Sequence, residues 1–325
     1  MRPRPAVAAF LVLPAAALLA AIPAPRAFGR SAAAQDQGTI RVGVSLVNLY
    51  ATVRDKHKAI VPDLKQEDFH IYEDDKEQKV AFFSREKTLP ITLALLIDTS
   101  GSERFMIESE KAAASRFLGE VIKQKDEALV ISFDTDVDLL ADWTGDLGEL
   151  NRAVRRAQIN APSSGGPVTV GPFPTSGSGG TNFYDAVYLA CHDKMATETG
   201  RKALIVLTDA EDNGSKLTLK EAVEAAQRAD TVVHMLLVYD PRYGADSRGA
   251  GQLAGDTGGR VIDVHSEKKM QEAFDEISDE LRSEYVLGYY PTNDKRDGSF
   301  RKIRVEVTDK DNKVLTRKGY YAPEN

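Results

Sequence analysis

The apolar run "ITLALLI" ends at Asp98, and Thr99, Ser100, Gly101 and Ser102 follow at once. A buried strand thereby delivers a carboxylate and two hydroxyls to one point. Three chemistries use such a set: a protease aspartate, a phosphate loop, or a cation site built from oxygen alone. A second apolar run, "IVLT", ends at Asp209, and Thr181 closes a Gly-rich stretch just before a helical pattern. Asp98, Ser100, Ser102, Thr181 and Asp209 are thus five oxygen donors from three separated segments. Carboxylates, hydroxyls and water suit a hard divalent cation, Mg2+ or else Mn2+ or Ca2+. Zinc would want His or Cys, and neither lies in these motifs. Only two of the five donors are anionic, so a bound ion would still attract a partner's carboxylate.

The rival chemistries assemble less well. "DTSG" at Asp98 and "DTGG" at Asp256 could form an aspartic-protease dyad. Such enzymes are overwhelmingly β, whereas Asp256 follows "SRGAGQLAG", a short helix with a Gly-rich exit, and reads as a turn residue. "SGSGGTNF" lacks the Lys of a phosphate loop. No Gly-x-Ser-x-Gly elbow occurs, and the five histidines, His57, His70, His192, His234 and His265, sit in unrelated contexts. Asp134 and Asp136 read as the start of a hairpin.

The elements that must position these donors follow from periodicity. "ITLALLID", "ALVISFD", "ALIVLTD", "TVVHMLLV" and "RVIDV" read as buried strands, with "VDLLADW" as an antiparallel edge. Helical patterns lie between them at 102–124, 147–157, 182–199, 217–229 and 266–284. The alternation predicts an α/β fold, a doubly wound, mostly parallel sheet covered on both faces. Ligands of such sheets bind at the carboxyl ends of strands where the strand order reverses. Asp98 and Asp209 would face one crevice if their strands are neighbours there.

This α/β region, 89–284, is flanked by β-rich segments at 35–88 and 285–325. The first has a hairpin around Asp74 and Asp75; the second alternates Ile303, Val305 and Val307 with polar residues. Each alone has too few strands for a core, so the two are expected to pair as one small sandwich-like domain with the α/β region inserted.

Residues 1–34 read as a bacterial-type signal peptide: Arg2 and Arg4, an uncharged stretch, then small residues at "SAAAQ". The chain is therefore expected to be exported, secreted or periplasmic, with no membrane span in the mature part. Removing 1–34 takes away four arginines and no acids, so the net charge of -7 becomes -11. That acidity argues against nucleic acid as a partner. The single cysteine, Cys191, reads as a buried thiol. The stretch 161–180, ending at Gly180, has no core-forming period and reads as a long loop beside Thr181. Partner contacts are expected there, at Glu211 on the rim, and at Tyr243 in the loop "DPRYGADSRGAG".

"DTSGS", the threonine after a Gly-rich loop, and "LTDAEDN" together resemble the metal-ion-dependent adhesion site of the von Willebrand factor A domain family. The resemblance covers about 90–284 and implies a Rossmann-like sheet holding Mg2+. It assigns Asp98, Ser100 and Ser102 to the first motif, Thr181 to the second and Asp209 to the third. Both serines would bind directly, the aspartates partly through water. Ala210 departs from the pattern, in which Gly is common after the third-motif Asp. The flanks further resemble a secreted bacterial group described as von Willebrand factor A-related. These readings imply a non-enzymatic, metal-dependent adhesion-type protein whose cation is completed by an acidic residue of a protein partner. The alternatives are a scaffold component with a purely structural metal and, as a minor one, an aspartic-type hydrolase.

Overall fold

A computed structural model of the chain describes residues 46–85, 89–159, 180–240, 242 and 244–324. The expected signal segment, loop residues 161–179 and Tyr243 lie outside the described residues.

The central sheet comprises β5 (Ile91–Asp98), β6 (Glu127–Phe133), β7 (Val137–Thr144), β8 (Arg201–Thr208), β9 (Thr231–Val238) and β10 (Val261–Val264). Its order is β10-β9-β8-β5-β6-β7, parallel except for the β6–β7 hairpin. Side chains alternate across a strand. Ile91, Leu93, Leu95 and Ile97 therefore join the core under α1 (Ile107–Val121), α2 (Leu147–Arg156) and α6 (Glu267–Ser283). Ala94 and Leu96 join the opposite core under α3 (Phe183–Leu189), α4 (Leu219–Arg228) and α5 (Ser247–Thr257). All of β5 is buried, which explains its unbroken apolar sequence.

Local chemistry sets the helix ends. Asp146, Thr218, Asp246 and Ser266 cap α2, α4, α5 and α6 with side-chain oxygens, and Thr218 forms a capping box with Glu221. Two expected helices are subdivided. A 3-10 turn, Gly101–Phe105, precedes α1, and α3 continues as a π-helical turn, Ala190–Met195. Hydrophobic period cannot separate these hydrogen-bond patterns from an α-helix. Asp256 is a correction: it lies in the last turn of α5, not in a turn before β10. The Asp246 cap starts that helix, and Gly258, at φ 95°, stops it one residue after Thr257.

The flanking segments form β1 (Val47–Arg54), β2 (Phe69–Glu73), β3 (Lys76–Gln78), β4 (Val80–Ser84), β11 (Tyr285–Tyr289), β12 (Phe300–Val307), β13 (Lys313–Leu315) and β14 (Gly319–Tyr321). They make two four-stranded antiparallel sheets, β13-β1-β11-β4 and β14-β12-β2-β3. Leu49, Val53 and Leu287 of the first share a core with Phe69, Ile71 and Ile303 of the second. The buried Glu73 crosses between the sheets, accepting from Tyr289 Oη at 2.6 Å and Tyr320 Oη at 3.0 Å. The β2–β3 hairpin turns on Asp74 and Asp75, both at positive φ (47° and 62°), which a two-residue turn of primed type requires.

A charged cluster joins β1 to the α/β part. Glu280 of α6 pairs with Arg54 and with Arg260 Nε at 2.7 Å, and His234 Nδ1 lies 3.7 Å from its other oxygen. Burial pushes the imidazole down to about 4, against the opposing attraction of Glu280. Since the unfolded chain binds this proton below about 6.5, stability is expected to fall as pH drops from about 6.5 to about 4. His234→Leu should remove roughly 3 kcal/mol of that decline. Urea melts of both proteins across the window check it; identical slopes would contradict the assignment.

Candidate metal centre

The site begins with strand parity. Asp98 falls on the same side of β5 as Ala94 and Leu96, and Thr208 on the same side of β8 as Leu204 and Val206. Since β5 and β8 are parallel neighbours, Thr208 Oγ1 donates to Asp98 Oδ2 at 2.5 Å. The other oxygen, Oδ1, accepts from Ser100 N–H at 2.8 Å. Thr99 fixes the turn by donating its N–H to Phe133 O at 2.8 Å and sharing its hydroxyl with Asp134 at 3.2 Å. The turn then brings the hydroxyls of Ser100 and Ser102 to 2.9 Å from each other, with Ser102 exposed.

Asp209 follows β8 and is buried. Its Oδ1 accepts from Glu211 N–H at 3.0 Å, and its carbonyl accepts from Asp246 N–H at 3.0 Å. Between them Ala210 adopts φ 60°, the left-handed conformation. The backbone there explains why Gly suits this position: a Cβ costs roughly 1–2 kcal/mol in that region.

Thr181 is buried at the entrance to α3. Its N–H donates to Asn213 Oδ1 at 2.6 Å, and its carbonyl accepts from Gly214 N–H at 3.1 Å. Asn182 N–H donates to Asp134 O at 2.7 Å, so the loops after β6 and β8 both grip this entrance. Gly180 provides close approach here, because a Cβ would meet Asn213 Oδ1 at 2.8 Å. Glu211 is exposed at the rim.

Carboxylate oxygens of Asp98, Glu103 and Asp209 all lie within 4.8 Å of one another, and all three residues are buried. Glu103 was not among the residues singled out from sequence. Sitting on the 3-10 turn, it is fully buried, and behind it Glu110 of α1 is fully buried too. One signal for Glu110 existed: it occupies the apolar stripe of Ile107, Ala114, Phe117 and Val121, where a carboxylate is out of place. Burial raises Asp98 to about 7, opposed by the hydrogen bonds from Thr208 and Ser100. Burial also drives Glu103 well above the usual carboxylate range, reinforced by the charges of Glu110, Asp98 and Asp209. Glu110 is pushed up to about 8, chiefly by burial.

This donor set fits a hard divalent cation. It offers carboxylates and hydroxyls, with no His or Cys. Among the described residues no Lys or Arg forms an ion pair with Asp98, Glu103, Glu110 or Asp209. Buried like charges of that density call for a counter-charge or for protons. A protease dyad is not assembled: Asp246, beside Asp209, and Asp256 are ten residues apart, and α5 spans all but the first of them, so Asp256 lies about 15 Å further on. Asp256 instead accepts from Lys318 Nζ at 2.9 Å.

Residues 93–211, from β5 to the loop carrying Asp209, match the family described as von Willebrand factor type A domain. This part of the chain is similar to that family. Three solved structures resemble the chain. Conserved hypothetical protein BatB from Bacteroides thetaiotaomicron is 21% identical over 59% of this chain and 100% of its own, at TM-score 0.46. The vWF domain of the type V pili tip protein Mfa5 from Porphyromonas gingivalis is 14% identical over 59% of this chain and 95% of its own, at 0.44. Proximal thread matrix protein 1 from the mussel byssus is 12% identical over 70% of this chain and 51% of its own, at 0.49. No curated protein matches the chain.

The left-handed Ala210 gives a direct check on this loop. Ala210→Gly should raise stability by about 0.5–1 kcal/mol, the relief of strain less the added freedom of the unfolded chain. Equilibrium urea unfolding measures it, and a destabilisation of about 1 kcal/mol, as in an ordinary helix, would contradict the strain.

Proposed function

We propose that this chain is an exported, non-enzymatic protein-binding molecule of adhesion type, acting through a divalent cation at Asp98, Ser100, Ser102, Thr181 and Asp209. The single observation that carries the reading is the cluster of buried carboxylates within 4.8 Å at the carboxyl ends of β5 and β8, beside paired serine hydroxyls at the surface. Mg2+ is the proposed ion, with Mn2+ or Ca2+ as alternatives of the same chemistry. Bound there, such an ion supplies an electrophilic position that a carboxylate of a protein partner completes.

The residues divide the work. Asp98 and Asp209 supply charge, and Thr208 and the backbone of Ser100 hold the Asp98 carboxylate in one orientation. Ser100, Ser102 and Thr181 supply neutral oxygens, so the outward side stays open to an acidic ligand. Gly180, Glu211 and Tyr243 are proposed to contact the partner. Export rests on the charge and apolar pattern of residues 1–34. We place the domain limits at 35–88, 89–284 and 285–325, the outer two pairing as one small sandwich-like domain. A scaffold role with a purely structural ion is the second reading, favoured by the extra buried carboxylate of Glu103.

Calorimetric titration of Mg2+ and Mn2+ into the protein and into Asp98→Ala tests the first step. Saturable binding is expected in the parent and none in the variant, with the far-ultraviolet helical signal kept. Loss of that signal would mean the site cannot be separated from the core. Thr181→Ala should weaken Mg2+-dependent, EDTA-reversible capture of an acidic protein more than it weakens ion binding. Equal losses in both would count against a partner-facing Thr181.

A further inference from the structure

Glu103 follows Ser102 directly, on the 3-10 turn Gly101–Phe105. Neighbouring side chains on such a turn diverge by about 120°. Ser102 therefore faces solvent while Glu103 points inward, with 0% of its surface exposed. Its carboxylate joins those of Asp98 and Asp209 within 4.8 Å. Apart from the neighbouring Glu110 carboxyl, no group is placed to donate to either of its oxygens, and Glu110 likewise has only Glu103. A buried carboxylate without a donor is among the costliest groups a protein can hold, and it is tolerated where a cation or a proton answers it. The fully buried Glu103, with no basic or neutral donor on it, lies within reach of the site that Asp98 and Asp209 already define.

We propose that Glu103 is a third carboxylate ligand of the cation at this site, reaching it from the buried side while Ser100 and Ser102 face outward. The ligand charge then exceeds that of a divalent ion even without a partner, so the ion is resident before any partner arrives. Carboxylates and hydroxyls in this number remain within the oxygen chemistry shared by Mg2+, Mn2+ and Ca2+. The inference rests on the cation reading above and goes beyond it in naming an inner ligand that a partner's acid need not replace.

The test uses the full chain and the metal alone: Mn2+ titrated calorimetrically into the parent, Asp98→Ala, Glu103→Gln and Glu110→Gln, with thermal melts in Mn2+ and in EDTA. Glu103→Gln should bind Mn2+ roughly tenfold or more weakly, and Glu110→Gln only slightly more weakly than the parent. In EDTA, Glu103→Gln should melt at or above the parent, because a repelling buried charge is gone, while its rise in Tm on adding Mn2+ should shrink. Parental affinity in Glu103→Gln, with binding lost in Asp98→Ala, would overturn the proposal alone. It would leave Glu103 as a partner of Glu110 sharing a proton. Equal losses in Glu103→Gln and Glu110→Gln would also overturn it, pointing to a general charge effect. No Mn2+ binding in the parent would overturn both this proposal and the cation reading.

Discussion

Repulsion among buried acids at the ends of β5 and β8 is the constraint on which the rest depends. Asp98, Glu103 and Asp209 hold carboxylates within 4.8 Å, with Glu110 behind them, and no basic side chain pairs with any of the four among the described residues. Left ionised and unanswered, such a cluster would cost more than a domain's whole margin of stability. The α/β framework tolerates it because the strands below are among the most completely buried in the molecule. Apolar cores on both faces offset what the site takes away. The proposed function and stability are thereby opposed in the same few residues.

The remaining architecture fixes where those acids stand. Parallel pairing of β5 with β8 sets the register that brings Thr208 onto Asp98. Loops after β6 and β8 then clamp Thr181 through Asp134 and Asn213. The paired β sheets lie outside this arrangement and share their own core. They are tied to the α/β part through Arg54 and Glu280 and through Lys318 and Asp256. Asp256 is thus an anchor between segments.

Much of this was legible in the sequence because it depends on strand parity and strand ends. The apolar runs closing at Asp98 and Asp209 marked two strand ends, and the hydroxyls after Asp98 marked the turn; that the strands are neighbours comes from the sheet order. Ala210 was legible as a departure, but its left-handed φ was not, since only the backbone shows what a Gly would have relieved. Glu103 and Glu110 were missed although the period carries them: with Ile107, Ala114, Phe117 and Val121 they recur at steps of 4, 3, 4, 3 and 4, one face of a helix. Acids on that face were the signal, and it was passed over. Asp256 was misplaced because Gly255 reads as the exit of the short helix, whereas the helix runs on to Thr257 and stops only at the left-handed Gly258.

The most direct measurement is a crystal structure of the protein soaked in Mn2+, with diffraction recorded at the manganese edge. An anomalous peak is expected between the carboxylates of Asp98, Glu103 and Asp209 and the hydroxyls of Ser100 and Ser102, with oxygen ligands at about 2.0–2.6 Å. An ordered crevice with no peak, and Glu103 turned wholly onto Glu110, would contradict the view that a cation answers this buried charge.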